Sequence, residues 1–232
     1  MPLSPRVIAI GGGGFTHGAD HAMEDFILAQ ARRPMPRVGF VGAASQDDPI
    51  KLARFHARFA DVCAVHTHLP MQADAAQAQS WVQELDVVYV GGGNTLRLLA
   101  HWRRHGIDRV MMDAAREGVL MAGVSAGANL WFDWALSDSG GQGLQPVAGI
   151  GLVGGSVCPH YSSEAQRQPA FTASVACGSM PDGIAIDDGV AVLVSGAGTL
   201  RTFSARAGAG AYQIRRNGDA AVCAPVAQSV NL

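Results

Sequence analysis

Lysine is almost missing from this chain. Of its 17 basic residues only Lys51 is a lysine, and the arginines form no block or stripe. With a formal net charge of −2, that distribution argues against a nucleic-acid partner. Long apolar runs are missing too. The first, Val7 to Ile10, is far shorter than the roughly 18 residues of a membrane span, and no basic-then-apolar leader precedes it. Cysteine is scarce: Cys63, Cys158, Cys177 and Cys223 are widely spaced, with no C-x-x-C pair. Buried free thiols are expected, not disulfides or a zinc site. Apolar residues make up 48% and charged residues 16%, a balance that fits neither disorder nor fibre. The expectation is a soluble, cytoplasmic chain with no membrane contact, folded as a single α/β domain over residues 1–232. Homodimerisation is left open.

Glycine, by contrast, is abundant, with 29 residues. One stretch uses it in a demanding way. Gly123-Val124-Ser125-Ala126-Gly127 is a G-x-S-x-G pattern between an apolar run, Val119 to Ala122, and residues that can open a helix. With glycine so common the five letters alone are weak, but both flanks match a nucleophile elbow. In such an elbow a sharp strand-to-helix turn strains the serine backbone, and the flanking glycines remove Cβ atoms that would clash. The Ser125 hydroxyl would stand exposed at the carboxyl end of a central strand. The N–H of Ala126 would face the place where an oxyanion forms.

Strands and helices alternate around this stretch. Arg6 to Ile10 reads as a buried strand running into Gly11-Gly12-Gly13-Gly14. A dinucleotide fingerprint would need glycine at position 16 or 17, where Thr16 and His17 stand, and the next strand, Arg37 to Val41, ends without an acidic residue. NAD binding is rejected. The glycine run is expected to be a loop open to a ligand. Helices are expected at 20–33, from Asp48-Pro49 onward, and at 73–85, 96–105 and 107–117; strands at 62–65, at 86–90 and at the elbow. This predicts a mostly parallel central sheet flanked by helices on both faces. Short antiparallel strands follow toward the C-terminus, near 184–186, 190–194, 199–204 and 211–215, with a hairpin at Asn217-Gly218. The loops Gly91 to Thr95 and Gly123 to Gly127 then meet at one crevice, where function at such sheets resides.

A serine hydroxyl needs a base within hydrogen-bond reach and usually a third group to orient that base. Of the eight histidines, His101 and His105 lie on an arginine-rich helix face and read as solvated. His66 and His68 share a strand face without a carboxylate or cysteine at ligand spacing. His17 and His21 flank the first glycine run. His160 follows a strand-like run, Gly155 to Pro159, and is the best-placed base. Asp187-Asp188-Gly189 lies between two apolar strands. Adjacent residues point to opposite faces, so only one of the two aspartates can face His160. A plain polar turn is the competing reading.

Taken in order, Gly91-Gly92-Gly93-Asn94-Thr95-Leu96-Arg97-Leu98-Leu99, then Gly123 to Asn129, Pro159-His160 and Asp187 to Ala191 resemble the motifs of the peptidase E family of serine peptidases. That family includes aspartyl dipeptidases and cyanophycinases. The resemblance implies a class I glutamine amidotransferase-like, flavodoxin-like architecture. It implies Ser125 as nucleophile, His160 as base, and Asp188 as the third member; because the family often has glutamate at that position and an aspartate reaches less far, Asp187, Glu164 or a Ser125–His160 dyad are the alternatives. It also implies oxyanion N–H groups from Gly93 and Ala126 and substrate contacts from Gly92, Asn94 and Thr95, with no metal or cofactor. The implied activity is hydrolysis of small peptides, as a dipeptidase that prefers Asp-X. An aspartate pocket needs a cation, and Arg167 is the only basic residue between His160 and Asp188. The alternatives are a cyanophycinase-like or other exopeptidase, with Glu164 and Asp182 holding an arginine side chain, and a non-catalytic ligand-binding module on the same fold.

Overall fold

The computed structural model of the protein describes residues 4–18, 21–196 and 198–227, and only the backbone of His17. Its first half alternates strand and helix: β1 (Arg6–Ile10), α1 (Ala22–Ala29), β2 (Arg37–Val41), α2 (Pro49–Phe59), β3 (Val65–Leu69), α3 (Ala75–Val82), β4 (Val87–Val90), α4 (Thr95–His105), α5 (Ile107–Glu117), β5 (Leu120–Val124) and α6 (Ala126–Trp131). The second half is mostly strand: β6 (Phe132–Ser137), β7 (Gln145–Ala148), β8 (Val153–Cys158), α7 (Arg167–Ala176), β9 (Gly183–Ile186), β10 (Val190–Ser195), β11 (Thr199–Ser204), β12 (Ala211–Asn217) and β13 (Ala220–Pro225).

The larger sheet runs β11-β10-β1-β5-β4-β2-β3. Its five strands from the first half pair in parallel, and β10 and β11 add antiparallel at one edge. β4 and β5 are buried at every residue, as strands of a parallel sheet covered on both faces must be. One face packs against Leu98, Trp102 and Met111 of α4 and α5, the other against Phe26 of α1 and Phe55 and Phe59 of α2. This is the expected α/β architecture, mostly parallel and helix-flanked.

Several boundaries differ from expectation. The third strand is Val65–Leu69, not 62–65. It is an edge strand with only Leu69 buried, so no continuous apolar run marks it. The first helix is confined to Ala22–Ala29, and the expected start at Asp20 lies outside the described residues. A second sheet, β13-β12-β9-β8-β6-β7, was not anticipated, nor was α7. Its β6, β8 and β9 pair in parallel. Glycines at 149, 151, 154 and 155 hide any periodicity there. The hairpin at Asn217-Gly218 joins β12 to β13, with Gly218 at φ 63°. All four cysteines are free, but only Cys63 and Cys158 are buried; Cys177 and Cys223 are exposed, which corrects the expectation of four buried thiols. Among the described residues no helix is long and apolar enough to cross a membrane.

The two sheets meet where the carboxyl ends of β1, β5, β8 and β9 converge. There Gly12, just past β1, bridges Asp188, just past β9, and the Gly189 N–H donates to the Gly12 carbonyl at 2.9 Å.

Candidate active site

Ser125 stands between β5 and α6 with φ 55° and ψ −112°, a conformation that non-glycine residues rarely adopt. The turn is held by two backbone bonds: Ser125 N–H donates to Ile10 O, and Asn129 N–H to Ser125 O. Both glycines of the pattern are needed for close passage of backbone. A Cβ on Gly123 would lie 2.3 Å from Gly127 O, and one on Gly127 would lie 2.1 Å from Val90 O. The elbow anticipated from the sequence is formed.

His160 follows β8 in a second strained conformation, φ 55°. The next residue ties its loop to the neighbouring strand, since Tyr161 N–H donates to Ile186 O. The imidazole therefore bridges two partners: Nε2 lies 2.8 Å from Ser125 Oγ, and Nδ1 lies 2.6 Å from Asp188 Oδ1. The His160 and Asp188 side chains are 16% and 30% exposed, so the pair is shielded but reachable. Asp187 turns away, as strand alternation requires, and its Oδ2 accepts from Gly210 N–H at 2.9 Å. Glu164 is engaged by Arg167 at 2.6 Å. Of the three acids weighed for this position, only Asp188 faces His160.

The first glycine run has a different task from the one expected. It is not a loop open to a ligand; Gly11, Gly12 and Gly14 are buried. A Cβ on Gly12 would lie 2.1 Å from Asp188 Oδ1 and 2.7 Å from His160 Cε1. The missing side chain is the space in which the His–Asp pair sits. Beneath it, Glu24 is fully buried and its Oε1 accepts from Phe15 N–H at 3.3 Å, with burial pushing its carboxyl up to about 7. His21 is exposed at the start of α1, and the side chain of His17 lies outside the described residues.

The loop after β4 lies beside the serine. A Cβ on Gly92 would be 3.2 Å from Ser125 Cβ, and Gly93 adopts φ 152° against Ala44. Among the described residues the N–H groups of Gly93 and Ala126 have no protein acceptor. Asn94 and Thr95, expected as substrate contacts, have their side chains bonded within the protein. Asn94 caps α4 by accepting from Arg97 N–H, and its amide donates to Ser139 O. Thr95 is buried, and its Oγ1 accepts from Asn129 Nδ2 at 3.0 Å, which couples the Gly91–Thr95 loop to the elbow helix. Arg167 is also corrected. It is 4% exposed, and its guanidinium donates to Glu164 and to Leu136 O, with Asp138 at 4.0 Å. Its charge is already paired with Glu164, and its burial keeps it from open solvent.

Two residues at the site carry no motif of their own. Gly12 belongs to a glycine run expected to face a ligand, and it faces the His160–Asp188 pair instead. Lys51, noticed only as the sole lysine, places Nζ 3.2 Å from Gly92 O. Among the described residues there is no cluster of His, Cys, Asp or Glu able to hold a metal. His66 and His68 instead hydrogen-bond to His56 at 3.0 and 3.1 Å.

A family model described as peptidase family S51 matches residues 7–201. The Bacillus subtilis (strain 168) protein named "Uncharacterized peptidase YgaJ" is 38% identical over 211 residues, covering 90% of this chain and 91% of the relative. Peptidase E of Streptomyces coelicolor is 30% identical over 156 residues, covering 65% and 59%. Among solved structures, a peptidase from an acI-B1 Actinobacterium superposes with a TM-score of 0.70 at 14% identity, covering 95% of this chain and 97% of that one. A Listeria monocytogenes EGD-e chain superposes at 0.66 and 16% identity, covering 88% and 100%. At such identities the structures speak for the fold alone. The family match and the 38% relative carry more, and this chain belongs to peptidase family S51.

Proposed function

We propose that this peptidase works by serine nucleophilic catalysis through Ser125, His160 and Asp188. The observation that carries the reading is the unbroken chain Ser125 Oγ–His160–Asp188, at 2.8 and 2.6 Å, on a strained elbow. His160 Nε2 takes the hydroxyl proton as Ser125 Oγ bonds to the scissile amide carbon. Asp188 keeps the imidazole in the tautomer that leaves Nε2 free to accept, and stabilises the imidazolium that results. The carbonyl oxygen gains negative charge, which the N–H groups of Gly93 and Ala126 stabilise. His160 then delivers its proton to the leaving amine, the C–N bond breaks and an acyl-serine remains. His160 then takes a proton from water as the water oxygen bonds to the acyl carbon; the bond from that carbon to Ser125 Oγ breaks, His160 returns the proton to Oγ, and the acid is released.

The substrates proposed are small peptides, with Asp-X dipeptides first, because the chain's motifs resemble those of a family that includes aspartyl dipeptidases, and relatives named peptidase E are 30% identical over 156 residues and 43% over 49. Arg167 lends this preference no support. The test is a panel of Asp-X, Glu-X, β-Asp-Arg and neutral X-X dipeptides. Cleavage confined to Asp-X is the expected result; cleavage of β-Asp-Arg alone would move the specificity to the cyanophycinase type, and cleavage of neutral members would remove the aspartate pocket.

A further inference from the structure

Lys51 carries the only ammonium side chain in the sequence. It stands in the first turn of α2, which Asp48 caps by accepting from Ile50 and Lys51 N–H. Farther along the helix, Phe55 and Phe59 are fully buried; Phe55 packs ring to ring with Phe15 and Phe40, and Phe59 with Phe15. The helix is thus anchored, and so is the base of the lysine. The nearest carboxylates in sequence are engaged elsewhere: Asp48 in the cap, and Asp47 Oδ2 with Met71 N–H at 2.6 Å. Among the described residues Lys51 forms no ion pair. Its Nζ donates instead to the Gly92 carbonyl oxygen at 3.2 Å.

The Gly92 carbonyl and the Gly93 N–H are the two ends of one planar peptide. A cation on the oxygen draws electron density toward it and leaves the N–H a stronger donor. The same contact pins the plane of the peptide. The following peptide, Gly93–Asn94, is held by Ala44: Asn94 N–H donates to Ala44 O at 2.9 Å, and a Cβ on Gly93 would lie 2.3 Å from the same oxygen. Ser125 lies alongside, 3.2 Å from where a Gly92 Cβ would stand.

We infer that Lys51 is a positioning residue for the oxyanion site: its ammonium, hydrogen-bonded to Gly92 O, orients and polarises the Gly92–Gly93 peptide so that Gly93 N–H binds the developing oxyanion more strongly. This rests on the serine-peptidase reading. The oxyanion is absent from the bound substrate, so the contribution belongs to kcat and not to KM. Loss of a whole oxyanion donor costs about 100- to 1,000-fold, and loss of its polarisation is a fraction of that, about tenfold.

The experiment compares wild type with Lys51→Met, which keeps the length of the stem, and Lys51→Arg, which keeps the charge. Expected for Lys51→Met is a roughly tenfold fall in kcat, equal for every peptide that wild type cleaves, with KM within twofold. A peptide aldehyde, which forms a tetrahedral adduct at the serine, should lose affinity by the same factor. Lys51→Arg should restore most of the loss. An unchanged kcat, or a loss confined to substrates with an acidic side chain, would overturn the proposal; the latter would make Lys51 a reader of that side chain. If wild type shows no Ser125-dependent turnover at all, the serine-peptidase reading fails first. Labelling of Ser125 by a fluorophosphonate, which also places negative charge on an oxygen there, then decides the lysine's role by its rate in wild type and Lys51→Met. Should Lys51→Met not fold, Lys51→Gln takes its place.

Discussion

Replacing Gly12 with alanine should damage activity and spare stability, while the same change one residue earlier should do the reverse. At Gly12 the new Cβ would lie 2.1 Å from Asp188 Oδ1 and 2.7 Å from His160 Cε1. Relief to a normal contact needs a shift of about 1 Å. The atoms in the way are side-chain ends, so they can move, but they are the atoms that orient the base. A misplacement of about 1 Å in a catalytic group can cost about 100-fold in rate. At Gly11 the Cβ would lie 2.1 Å from Asp187 O and 2.5 Å from Ile186 O, both backbone atoms at the end of β9. Those atoms have little room to move, and the cost is overpacking, about 1–3 kcal/mol. The assays are kcat on the best dipeptide of the panel and urea unfolding, run on Gly12→Ala and Gly11→Ala together. Gly12→Ala should lose about 100-fold in kcat with little change in the unfolding midpoint; Gly11→Ala should unfold earlier. Full activity in Gly12→Ala would refute the claim that the glycine run exists to seat the His–Asp pair.

Three further outcomes follow from the same geometry. Arg167→Met should lower the unfolding free energy by about 1–3 kcal/mol, because Leu136 O loses its donor, and should leave the ratio of Asp-X to neutral cleavage unchanged; a collapse of Asp-X cleavage alone would return Arg167 to the substrate pocket. Glu24 has its carboxyl raised by burial from 4.5 to about 7, so wild type should lose stability as pH rises through that window and level off above it. Glu24→Gln removes the titration, and its stability relative to wild type should grow by about 3 kcal/mol between those limits, read from urea unfolding at several pH values; parallel curves would show that Glu24 does not titrate there. Thr95→Val should cost about 1–3 kcal/mol by leaving the buried Asn129 amide unpartnered, and an unfolding midpoint equal to wild type would count against the Thr95–Asn129 link.

Most of the first half of the fold was legible because its inner strands are short and apolar and its helices carry explicit start and stop residues; the edge strand β3, VHTHL, is the exception. Asp48-Pro49 starts α2 and Gly106 separates α4 from α5. The elbow was legible for the same local reason: a strained turn at Ser125 demands glycine on both sides. Of the second sheet, β9, β12 and the hairpin to β13 were expected as strands, but not their separate sheet: β8 is interrupted by Gly154 and Gly155, and the parallel pairing of β6, β8 and β9 joins segments far apart in the chain. At the site, strand alternation alone left Asp187 and Asp188 open and the family resemblance pointed to Asp188; in the fold Asp187 turns toward Gly210 and Asp188 faces His160. Arg167 misled because a basic residue near the base reads as a substrate anchor, whereas Glu164, three residues earlier, already pairs with it. Asn94 and Thr95 misled in a related way. Their side chains hold the loop through Ser139 and Asn129. Lys51 carried no motif at all, and only folding brings α2 against the loop after β4.

The most direct test of the serine mechanism is intact-protein mass spectrometry after treatment with a fluorophosphonate, paired with dipeptide turnover, on wild type, Ser125→Ala and His160→Ala. One phosphonyl adduct located on Ser125 in wild type, none in Ser125→Ala, much slower labelling in His160→Ala, and turnover lost in both variants is the predicted result. Turnover by Ser125→Ala at the wild-type rate, or wild type that cleaves peptides yet never labels at Ser125, would contradict it.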